Sequence, residues 1–436
     1  MKQLHGFLEM NQYVTDPLSI QTQVNLQEAF DTLGIPNDDI TVMSVLIQYP
    51  TWKKDTDFYR FIKPKVRKQL RKDPKTFFFF DASTEGFSTI YSEPYYHILY
   101  KMIRDCNIDP KRVFFVSSNM RDQQNLIRFN MEEKILDVEP FNVISYHNFE
   151  RMIFGVEGQK EIEMDPGKYN VTSDATTDAI VRTRFKKAVK NTRRLYRDKV
   201  HNKVGLALSR LVRPHRTYSA MDIFHSDEFK DMYVSHATLD GTNLDWLINQ
   251  PPFRNSKFTK ADLNIFKRQV VPLVVDTDDF KTNHAMALHS NLNDQTLFQI
   301  VQETHIDDWQ GTSLFYSEKT FRAIYHMEPF VIWGQPGCNK RLVDYGYKTY
   351  GDWFDLSFDD IHDPAKRWEA LWKEVRSKIK LIREMENVED QIQWKFKNEQ
   401  VLMENFRTLL EGKYSKDIFK ETAKKMREIA DATTTV

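Results

Sequence analysis

Residues 313–341, SLFYSEKTFRAIYHMEPFVIWGQPGCNKR, are the most informative stretch of the sequence. Ser317, Glu318 and Lys319 predict the start of a short helix, and the apolar run 329–333 predicts a buried strand after it. An acid and a base at a helix start offer a carboxylate for hydroxyls, an ammonium for phosphate and free backbone N–H groups for an anion. We therefore predict a nucleotide-binding corner here.

Length and charge limit the classes of protein that fit. A chain of 436 residues is too long for one ordinary hydrophobic core, so we expect two domains. The formal net charge of zero excludes a molecule that binds polyanions over its whole surface. The two cysteines, Cys106 and Cys338, form neither a disulfide framework nor a metal-ligand spacing. Without a signal-peptide core or a long apolar run, the sequence predicts a cytoplasmic protein that has no membrane partner.

The first half alternates between apolar runs and amphipathic segments. Strands are predicted, with helices between them, at 40–47, 76–81, 113–116 and 141–145. The phenylalanine run before Asp81 is continuously apolar, which favours a strand buried on both faces of a parallel sheet. The alternation is typical of an open, Rossmann-like α/β domain, which binds ligands at the carboxyl ends of its strands. Asp81 and Glu85 are expected at that edge.

Residues 1–175 form the first predicted domain, and the polar stretch 155–180 is the best linker candidate. A very basic helix is expected at 176–203. Two interpretations of it stay open: an exposed helix between domains, or an electrostatic footprint for a polyanion such as DNA. Arg193 and Arg194 are the acceptor-binding candidates of the second interpretation.

A second α/β domain is predicted at 204–385, followed by a helical tail at 386–436. Its strands are expected at 204–208, 232–236, 272–276, 297–301, 329–333 and, in a short form, 347–350. An arginine-rich element follows the first of these strands, and guanidinium groups there present forks of donors to phosphate oxygens. Its candidate phosphate ligands are Arg210, Arg213, His215 and Arg216.

A second set of candidates completes the predicted pocket. Glu303 ends a predicted strand, and Ser317, Glu318, Lys319 and Thr320 begin the helix that follows. Glu318 is expected to accept hydrogen bonds from ribose hydroxyls and Lys319 to hold a phosphate, and the helix dipole adds to that attraction. A surface ion pair is the alternative for Glu318 and Lys319. The sequence has no Walker loop and no GxGxxG motif, which argues against ordinary NTPases and dehydrogenases.

The stretch 315–355, FYSEKTFRAIYHMEPFVIWGQPGCNKRLVDYGYKTYGDWFD, resembles the C-terminal signature of a glycosyltransferase-like family of marine tailed phages and bacteria. That family pairs an SEKT helix with a PF-I/V-G strand and a GY/F-K-T turn. RLVRPHR at 210–216 is similar to the family's arginine-rich element. More distantly, SEKTFRAI at 317–324 resembles the glutamate–lysine helix of fucosyltransferase-type enzymes with the GT-B fold. The resemblance covers residues 204–375 well.

The resemblance implies two Rossmann-like domains that face a cleft, as in GT-B enzymes, with C-terminal helices. It implies transfer of a sugar from a nucleotide-sugar donor to an acceptor hydroxyl, with a modified base in phage DNA among the acceptors considered. The resemblance also implies that Glu318 binds the ribose of the donor, and that Lys319, Arg213 and Arg216 bind its phosphates. A phage-encoded enzyme of this kind would act in the host cytoplasm.

An inverting transfer also needs a base near the acceptor hydroxyl, which we expect among the carboxylates of the first domain. Glu85 is the first choice and Asp81 the second, and loop or helix capping is the alternative for each. The alternative function is that of a non-catalytic nucleotide- or DNA-binding protein, such as a virion or assembly protein that has kept the fold.

One motif favours a different kind of site. Asp276 and Asp278 follow an apolar run, and a strand that ends in D-x-D is the arrangement by which GT-A transferases hold a divalent metal and a sugar diphosphate. Lone D-x-D strings are common, and the order of elements suits two nucleotide-binding folds better. We therefore predict a site without a metal or a bound cofactor, in which the nucleotide-sugar is a co-substrate.

Overall fold

A computed structural model of the chain describes residues 1–4, 20–46, 57–83, 86, 89, 94–150, 174–197, 202–209, 211–275, 290–307 and 310–432. The strands within these ranges are β1 (Lys2–Leu4), β2 (Thr41–Leu46), β3 (Thr76–Ala82), β4 (Val113–Ser117), β5 (Asn142–Ser145), β6 (Gly205–Leu208), β7 (Met232–Ser235), β8 (Phe298–Gln302) and β9 (Phe330–Trp333).

The helices of the same ranges surround these strands. They are α1 (Ile20–Leu33), α2 (Phe58–Phe61), α3 (Pro64–Lys72), α4 (Tyr95–Cys106), α5 (Asp122–Glu132), α6 (Asp174–Arg197), α7 (Pro214–Phe224), α8 (Leu244–Ile248), α9 (Lys260–Gln269), α10 (Ser290–Asp294), α11 (Glu318–Tyr325), α12 (Pro364–Arg383), α13 (Val388–Lys395), α14 (Glu399–Glu411) and α15 (Lys413–Ala432). Short 3₁₀ helices lie at Pro110–Arg112, Asp227–Asp231, Phe253–Asn255, Lys340–Tyr345 and Ser357–Asp360.

The contacts between residues divide the chain into two compact units. Unit 1 consists of Met1–Asn148, Asp308–Phe315 and Gly412–Val436, and unit 2 consists of Phe149–Asp307 and Tyr316–Glu411. The sheet of unit 1 has the order β1-β2-β3-β4-β5, and the sheet of unit 2 has the order β7-β6-β8-β9. Every pairing within both sheets is parallel. The prediction of an α/β fold with two parallel sheets is confirmed.

The continuous apolar run of β3 is explained by two cores. Phe78 and Phe80 pack into a cluster with α2, α3 and α4, whereas Phe77 and Phe79 pack into a second cluster with α1 and α15. Successive side chains of a strand point to opposite faces, so a strand that is covered on both faces must be apolar at successive positions. Each of these buried phenylalanines contributes roughly 1.5–3 kcal/mol of apolar burial.

The second sheet reverses its strand order. From β6 the chain passes to β7 on one side, and then to β8 on the other side of β6, from which β9 continues outward. Such a reversal opens a crevice at the carboxyl ends of the two strands that flank it, here β6 and β8. The first sheet follows the order of the sequence, and its described strands contain no reversal.

Two predicted strands are wrong. Residues 347–350 form no strand, because the side chain of Asn405 pairs with the backbone of Lys348: its Oδ1 accepts from Lys348 N at 2.6 Å and its Nδ2 donates to Lys348 O at 3.0 Å. In the described part of 272–276, Leu273 alone pairs, in an antiparallel bridge to His236. The apolar pattern predicted strands in both stretches. Their backbone groups instead form hydrogen bonds with a buried amide side chain in the first stretch and in a single bridge in the second.

Several predicted boundaries differ from those of the structure. Helix α6 begins at Asp174, so the described end of the predicted linker, 174–180, is helical, while 155–173 lie outside the described residues. The predicted helical tail 386–436 is divided between the units, because α13 and α14 belong to unit 2 and α15 packs against α1 in unit 1. The cleft between the two predicted domains stays a prediction.

Candidate functional site

Helix α11 begins at the carboxyl edge of the second sheet, as the sequence predicts. Ser317 is its N-cap residue, with an extended backbone. The Ser317 hydroxyl oxygen accepts from Lys319 N at 3.4 Å and from Lys319 Nζ at 3.2 Å. Glu318 and Lys319 form the first turn, where an anion is favoured by the helix dipole and by backbone N–H groups that have no partner within the helix.

Glu303, the residue after β8, holds this helix start in place. Its side chain is fully buried. Its Oε1 accepts from Ser317 N at 3.0 Å and from Thr320 Oγ1 at 2.5 Å, and its Oε2 accepts from Thr304 N at 3.1 Å. The sequence predicted Glu303 and Thr320 as donor ligands. The structure pairs them with each other, and the Glu303 carboxylate caps the helix that carries Glu318.

The start of α7 carries the arginine-rich element. Arg213 immediately precedes the helix, Pro214 is its first residue, and His215 and Arg216 are buried in its first turn. His215 Nε2 donates to the backbone oxygen of Glu303 at 2.8 Å, and Arg216 Nη2 lies 3.4 Å from the same oxygen. Two helix starts that are far apart in the sequence therefore converge on the residue at the end of β8.

Three donor groups at this edge lack an acceptor. The Nε atoms of Arg213 and Arg216 and the Nε2 atom of Gln302 are buried and have no hydrogen-bond partner. Gln302 Oε1 accepts from the hydroxyls of Ser209 and Ser219 at 2.8 and 2.9 Å, which directs its amide N–H groups elsewhere. An unsatisfied buried donor costs about 1–3 kcal/mol. Since all three groups are donors, the arrangement suits a ligand that is rich in acceptor oxygens.

The ion pair between Glu318 and Lys319 is largely buried. Lys319 Nζ lies 2.5 Å from Glu318 Oε1, and the two side chains are 21% and 12% exposed, in the order Lys319, Glu318. Burial acts to raise the pKa of Glu318, but the neighbouring Lys319 and the more distant Arg216 outweigh it, and the pKa is lowered. Glu318 is therefore an ionised acceptor at neutral pH, as the binding of ribose hydroxyls requires.

Positive charge exceeds negative charge at this edge. Arg213, Arg216 and Lys319 are opposed by the carboxylates of Glu303 and Glu318. Burial, and then the charge of Arg213, lower the pKa of Arg216 to about 10, while Glu318 and Glu303 act against that shift. Arg216 stays charged at neutral pH, but its burial and the nearby charge of Arg213 disfavour that charged form. A bound anion would stabilise this charge and supply acceptors for the unpaired N–H groups.

Sequence reasoning missed His305. Burial, and then the charges of Arg213, Arg216 and Lys319, lower its pKa to about 3, so the ring is neutral. The pKa of His215 is also held well below its usual range, by burial and then by Arg216. Both rings therefore add hydrogen-bonding atoms to the site without adding charge. A lone histidine three residues after a strand has no sequence signal that would have revealed this.

Some predicted residues lie outside the described part of the chain: Glu85, Arg210, Asp276 and Asp278. Among the residues that the structure does describe, no three histidine, cysteine, aspartate or glutamate side chains are grouped so that they could hold a metal ion. Independence from metal stays a prediction, and so does the role of Glu85 as the base.

The carboxyl edge of the first sheet differs from that of the second. Asp81, at this end of β3, is fully buried, and its carboxylate accepts from Thr22 Oγ1 at 2.8 Å and from Ser83 N at 3.0 Å. Its side chain has no exposed surface at which an acceptor hydroxyl could bind in this structure. The catalytic role of Asp81 stays a prediction, and its observed contacts are those of a carboxylate that supports the fold.

Segment 310–315 covers part of this first edge. Asn119 and Asn125 both donate to the backbone oxygen of Thr312, at 2.9 and 2.8 Å, and Leu314 N donates to Asn119 Oδ1 at 3.1 Å. Gly86 admits the segment, because a Cβ at that position would lie 2.3 Å from the ring of Phe315. The protein's own backbone therefore occupies the side-chain amide groups of Asn119 and Asn125 at this edge.

Asp122 differs from the other residues described at the first edge, because one of its carboxylate oxygens has no hydrogen-bond partner. It is fully buried, and its Oδ1 accepts from Thr89 at 2.7 Å, from Asn119 at 3.1 Å and from Asn125 at 2.8 Å. Its Oδ2 has no partner, and burial raises its pKa to about 6. The unpaired atom of Asp122 is thus an acceptor, whereas the unpaired groups of Arg213, Arg216 and Gln302 at the second edge are donors.

The basic helix α6 is a packing element of unit 2. It contacts α10, α13 and α14 through a buried face that includes Val181, Ala188 and Tyr196. Arg193 forms an ion pair with Glu389 of α13, at 2.7 Å, whereas Arg194 is exposed. The packing contacts of α6 lie within unit 2, and its basic side chains are exposed. Both interpretations, an exposed helix between domains and a footprint for DNA, stay predictions.

A polar cavity of about 340 Å³ lies at the opposite end of α7. Its lining includes Asp222, His225, Lys257, Trp372 and Arg376. Six residues of helix separate Asp222 from the buried arginine of the first turn, which corresponds to about 9 Å. The cavity is therefore distinct from the edge at which the arginines meet.

Known proteins show little similarity to this chain. No known protein family matches the sequence, and no curated protein matches it. Among solved structures, the chain is similar to a UDP-forming alpha,alpha-trehalose-phosphate synthase from Burkholderia xenovorans, with a TM-score of 0.42 and 11% sequence identity over 94% of this chain and 78% of that chain. The described residues contain no helix that is both long enough and apolar enough to span a membrane. The resemblances to the phage family and to fucosyltransferase-type enzymes stay predictions.

Proposed function

We propose that the protein transfers a sugar from a nucleotide-sugar donor to an acceptor hydroxyl, and that unit 2 binds the donor. One observation carries the proposal: the buried Nε–H groups of Arg213 and Arg216 lack acceptors at the point where the second sheet reverses its strand order. Nucleotides bind open α/β sheets at such a reversal, and a diphosphate supplies the acceptor oxygens and negative charge that these groups need.

The proposed donor contacts follow from the charges. Arg213, Arg216 and Lys319 bind the diphosphate, and the start of α11 adds its backbone N–H groups. Glu318 accepts hydrogen bonds from the ribose hydroxyls, and Ser317 and Glu303 fix the position of that helix start. The residues of the arginine-rich element and those of the helix start then contact one ligand from two sides of the crevice.

The same contacts give a reason for catalysis. When the bond between the sugar and the diphosphate breaks, negative charge accumulates on the leaving phosphate. Fixed cations stabilise that charge more strongly than they stabilise the intact donor, so they lower the barrier of transfer. In this proposal Arg213, Arg216 and Lys319 carry that role without a metal ion. Activity should then survive removal of divalent cations with a chelator.

The acceptor half of the reaction belongs to the proposal as well. The sugar is transferred to a hydroxyl group of the acceptor. A modified base in phage DNA is the specific acceptor that the sequence resemblance suggests. A carboxylate of unit 1 removes the proton, with Glu85 ahead of Asp81, because Asp81 is enclosed by its contacts with Thr22 and Ser83.

Turnover of nucleotide-sugars tests this proposal. The protein is incubated with UDP-, GDP-, ADP- and CMP-linked sugars, and release of the free nucleotide is measured with and without acceptors. We expect release from one donor class, and we expect Lys319→Ala to reduce it at least tenfold. Binding of a nucleotide without any turnover would favour the alternative, a non-catalytic nucleotide- or DNA-binding protein. Absence of both would contradict the proposal.

A further inference from the structure

Helix α6 presents a stripe of basic side chains. Of its 24 residues, seven basic ones are exposed: Arg182, Lys186, Lys187, Lys190, Arg193, Arg194 and Arg197. At about 100° per residue, these seven positions fall within an arc of about 140° on the helix surface. With a rise of about 1.5 Å per residue, they extend over roughly 22 Å of helix. We call this set the α6 stripe.

The opposite side of α6 is fixed in unit 2. Its buried positions are Thr177, Val181, Ala188, Thr192 and Tyr196. The Tyr196 hydroxyl donates to Gln391 Oε1 at 2.8 Å, and α6 packs against α10, α13 and α14. The helix therefore cannot turn its apolar face outward. Insertion of an apolar face is what binds an amphipathic helix to a lipid surface, so this arrangement disfavours a membrane as the partner.

The α6 stripe has little acidic compensation. Among the described residues, its only ion-pair partner is Glu389, which pairs with Arg193. Asp178, the one acid of α6 whose side chain is described, pairs with Arg407 and falls outside the arc of the stripe. The chain as a whole has a formal net charge of zero. The stripe is therefore a local feature and not a consequence of a generally basic protein.

We propose that the α6 stripe binds the phosphodiester backbone of a nucleic acid. Its shape fits a linear polyanion: basic side chains recur every three or four residues, about 4.5–6 Å apart along the helix. Four of the seven are arginines, whose guanidinium groups make paired contacts with phosphate oxygens. Binding by the stripe stands by itself, and only the further statement that the bound nucleic acid is the sugar acceptor rests on the proposed function.

Charge reversal on two helices tests this proposal. The first variant combines Lys186→Glu, Lys190→Glu and Arg194→Glu in the α6 stripe and leaves Arg193 and its ion pair unchanged. The matched control combines Lys65→Glu, Lys68→Glu and Lys72→Glu on α3 in unit 1, where the side chains are equally exposed. Both variants change the net charge by the same amount. A third variant with glutamine at the three α6 positions removes charge without adding acids.

Binding of a fluorescent 20-base-pair DNA duplex and of its single strand is measured by anisotropy between 50 and 200 mM salt, without nucleotide-sugar. For the wild type we expect log K to fall with log salt, with a slope of roughly −4 to −6 for five to seven phosphate contacts. The α6 glutamate variant should bind at least tenfold more weakly, the glutamine variant should lose roughly three units of slope, and the α3 control should keep the wild-type affinity.

Several outcomes overturn the proposal: salt-independent or absent binding, or equal losses in the α6 and α3 variants, which would show a response to net charge alone. Binding to anionic lipid vesicles but not to either DNA would identify a membrane as the partner instead. Melting temperatures show whether each variant is folded. Lys319→Ala separates this proposal from the proposed function, because it should reduce donor turnover at least tenfold and leave DNA binding unchanged.

Discussion

The carboxyl edges of the two sheets show opposite hydrogen-bonding patterns. At the first edge, Asp81 is paired inside the protein, and Asn119 binds the backbone of the segment that covers it. At the second edge, the Nε atoms of Arg213 and Arg216 are buried without an acceptor. The first edge follows the order of the sequence, and the second lies at a reversal of strand order.

This difference shows that polar residues at a strand end do not by themselves mark a ligand site. What distinguishes the second edge is an excess of one kind of group: the unpaired groups of Arg213, Arg216 and Gln302 are all donors, and the charge is positive. The unpaired carboxylate oxygen of Asp122 at the first edge belongs to a group whose pKa is raised by burial, so a proton can neutralise it. An excess of charged donors instead requires an anion.

The largest effect is expected from the carboxylate that holds the second edge together. Glu303→Ala leaves Ser317 N, Thr304 N and Thr320 Oγ1 without their acceptor and removes a buried negative charge near Arg216. We expect a loss of roughly 3–5 kcal/mol of stability, measured as the urea midpoint. Glu303→Gln, whose amide oxygen still accepts, should recover part of it. A loss below about 1 kcal/mol in the alanine variant would show that Glu303 does not organise the helix start.

The next largest effect is expected from Arg216 in unit 2, and Arg112, a buried arginine in unit 1, provides the comparison. Arg216 has an unpaired Nε, whereas Arg112 donates to the backbone oxygens of Asp73 and Thr76 at 2.5 and 3.2 Å. Arg216→Met should weaken binding of a nucleoside diphosphate by roughly 100-fold, the equivalent of about 3 kcal/mol, without lowering the melting temperature. Arg112→Met should lower the melting temperature and leave the affinity unchanged. The reverse pattern would mean that the second edge is no anion site.

Asp122 provides the next effect, which depends on pH. Its folded-state pKa of about 6 exceeds the ordinary value of 3.8, so the folded state holds the proton more tightly. Stability from this group is therefore present below pH 3.8 and is lost as the pH rises to about 6. Asp122→Asn should gain stability relative to the wild type across that interval, by roughly 3 kcal/mol at pH 7. A constant difference between the urea midpoints of the variant and the wild type at pH 4, 5, 6 and 7 would contradict this.

The smallest effect is expected from the more exposed cation of the second edge. Lys319→Met should weaken binding of a nucleoside diphosphate by about tenfold, because one charge-assisted contact is worth about 1.5 kcal/mol at this level of exposure. Lys340→Met is the control, since Lys340 pairs with Asp360 on the surface that follows β9. Equal affinities of the two variants would remove Lys319 from the phosphate site.

The sequence predicted what short-range signals determine. The run of phenylalanines in β3, the Ser317 cap of α11 and the Pro214 start of α7 each have a local pattern, and the structure forms all three elements. The edge at which Arg213, Arg216 and Lys319 lie also follows from local order, because residues that come directly after parallel strands share one edge of a sheet.

Long-range contacts explain what the sequence did not show. The covering of the first edge depends on Thr312, which lies 193 residues after the Asn119 that binds it. The failed strand at 347–350 depends on Asn405, 57 residues after Lys348. The missing acceptor of the Arg216 Nε likewise depends on which side chains fail to reach it. No local pattern encodes a partner at such distances.

Calorimetric titration of the wild-type protein with nucleosides and their mono- and diphosphates, in the uridine and guanosine series, tests the central claim most directly. If the arginines of the second edge bind a diphosphate, affinity should increase with each phosphate in at least one series, by about tenfold or more for a charge-assisted contact. Equal affinity for a nucleoside and its diphosphate, or no binding in either series, would contradict the account.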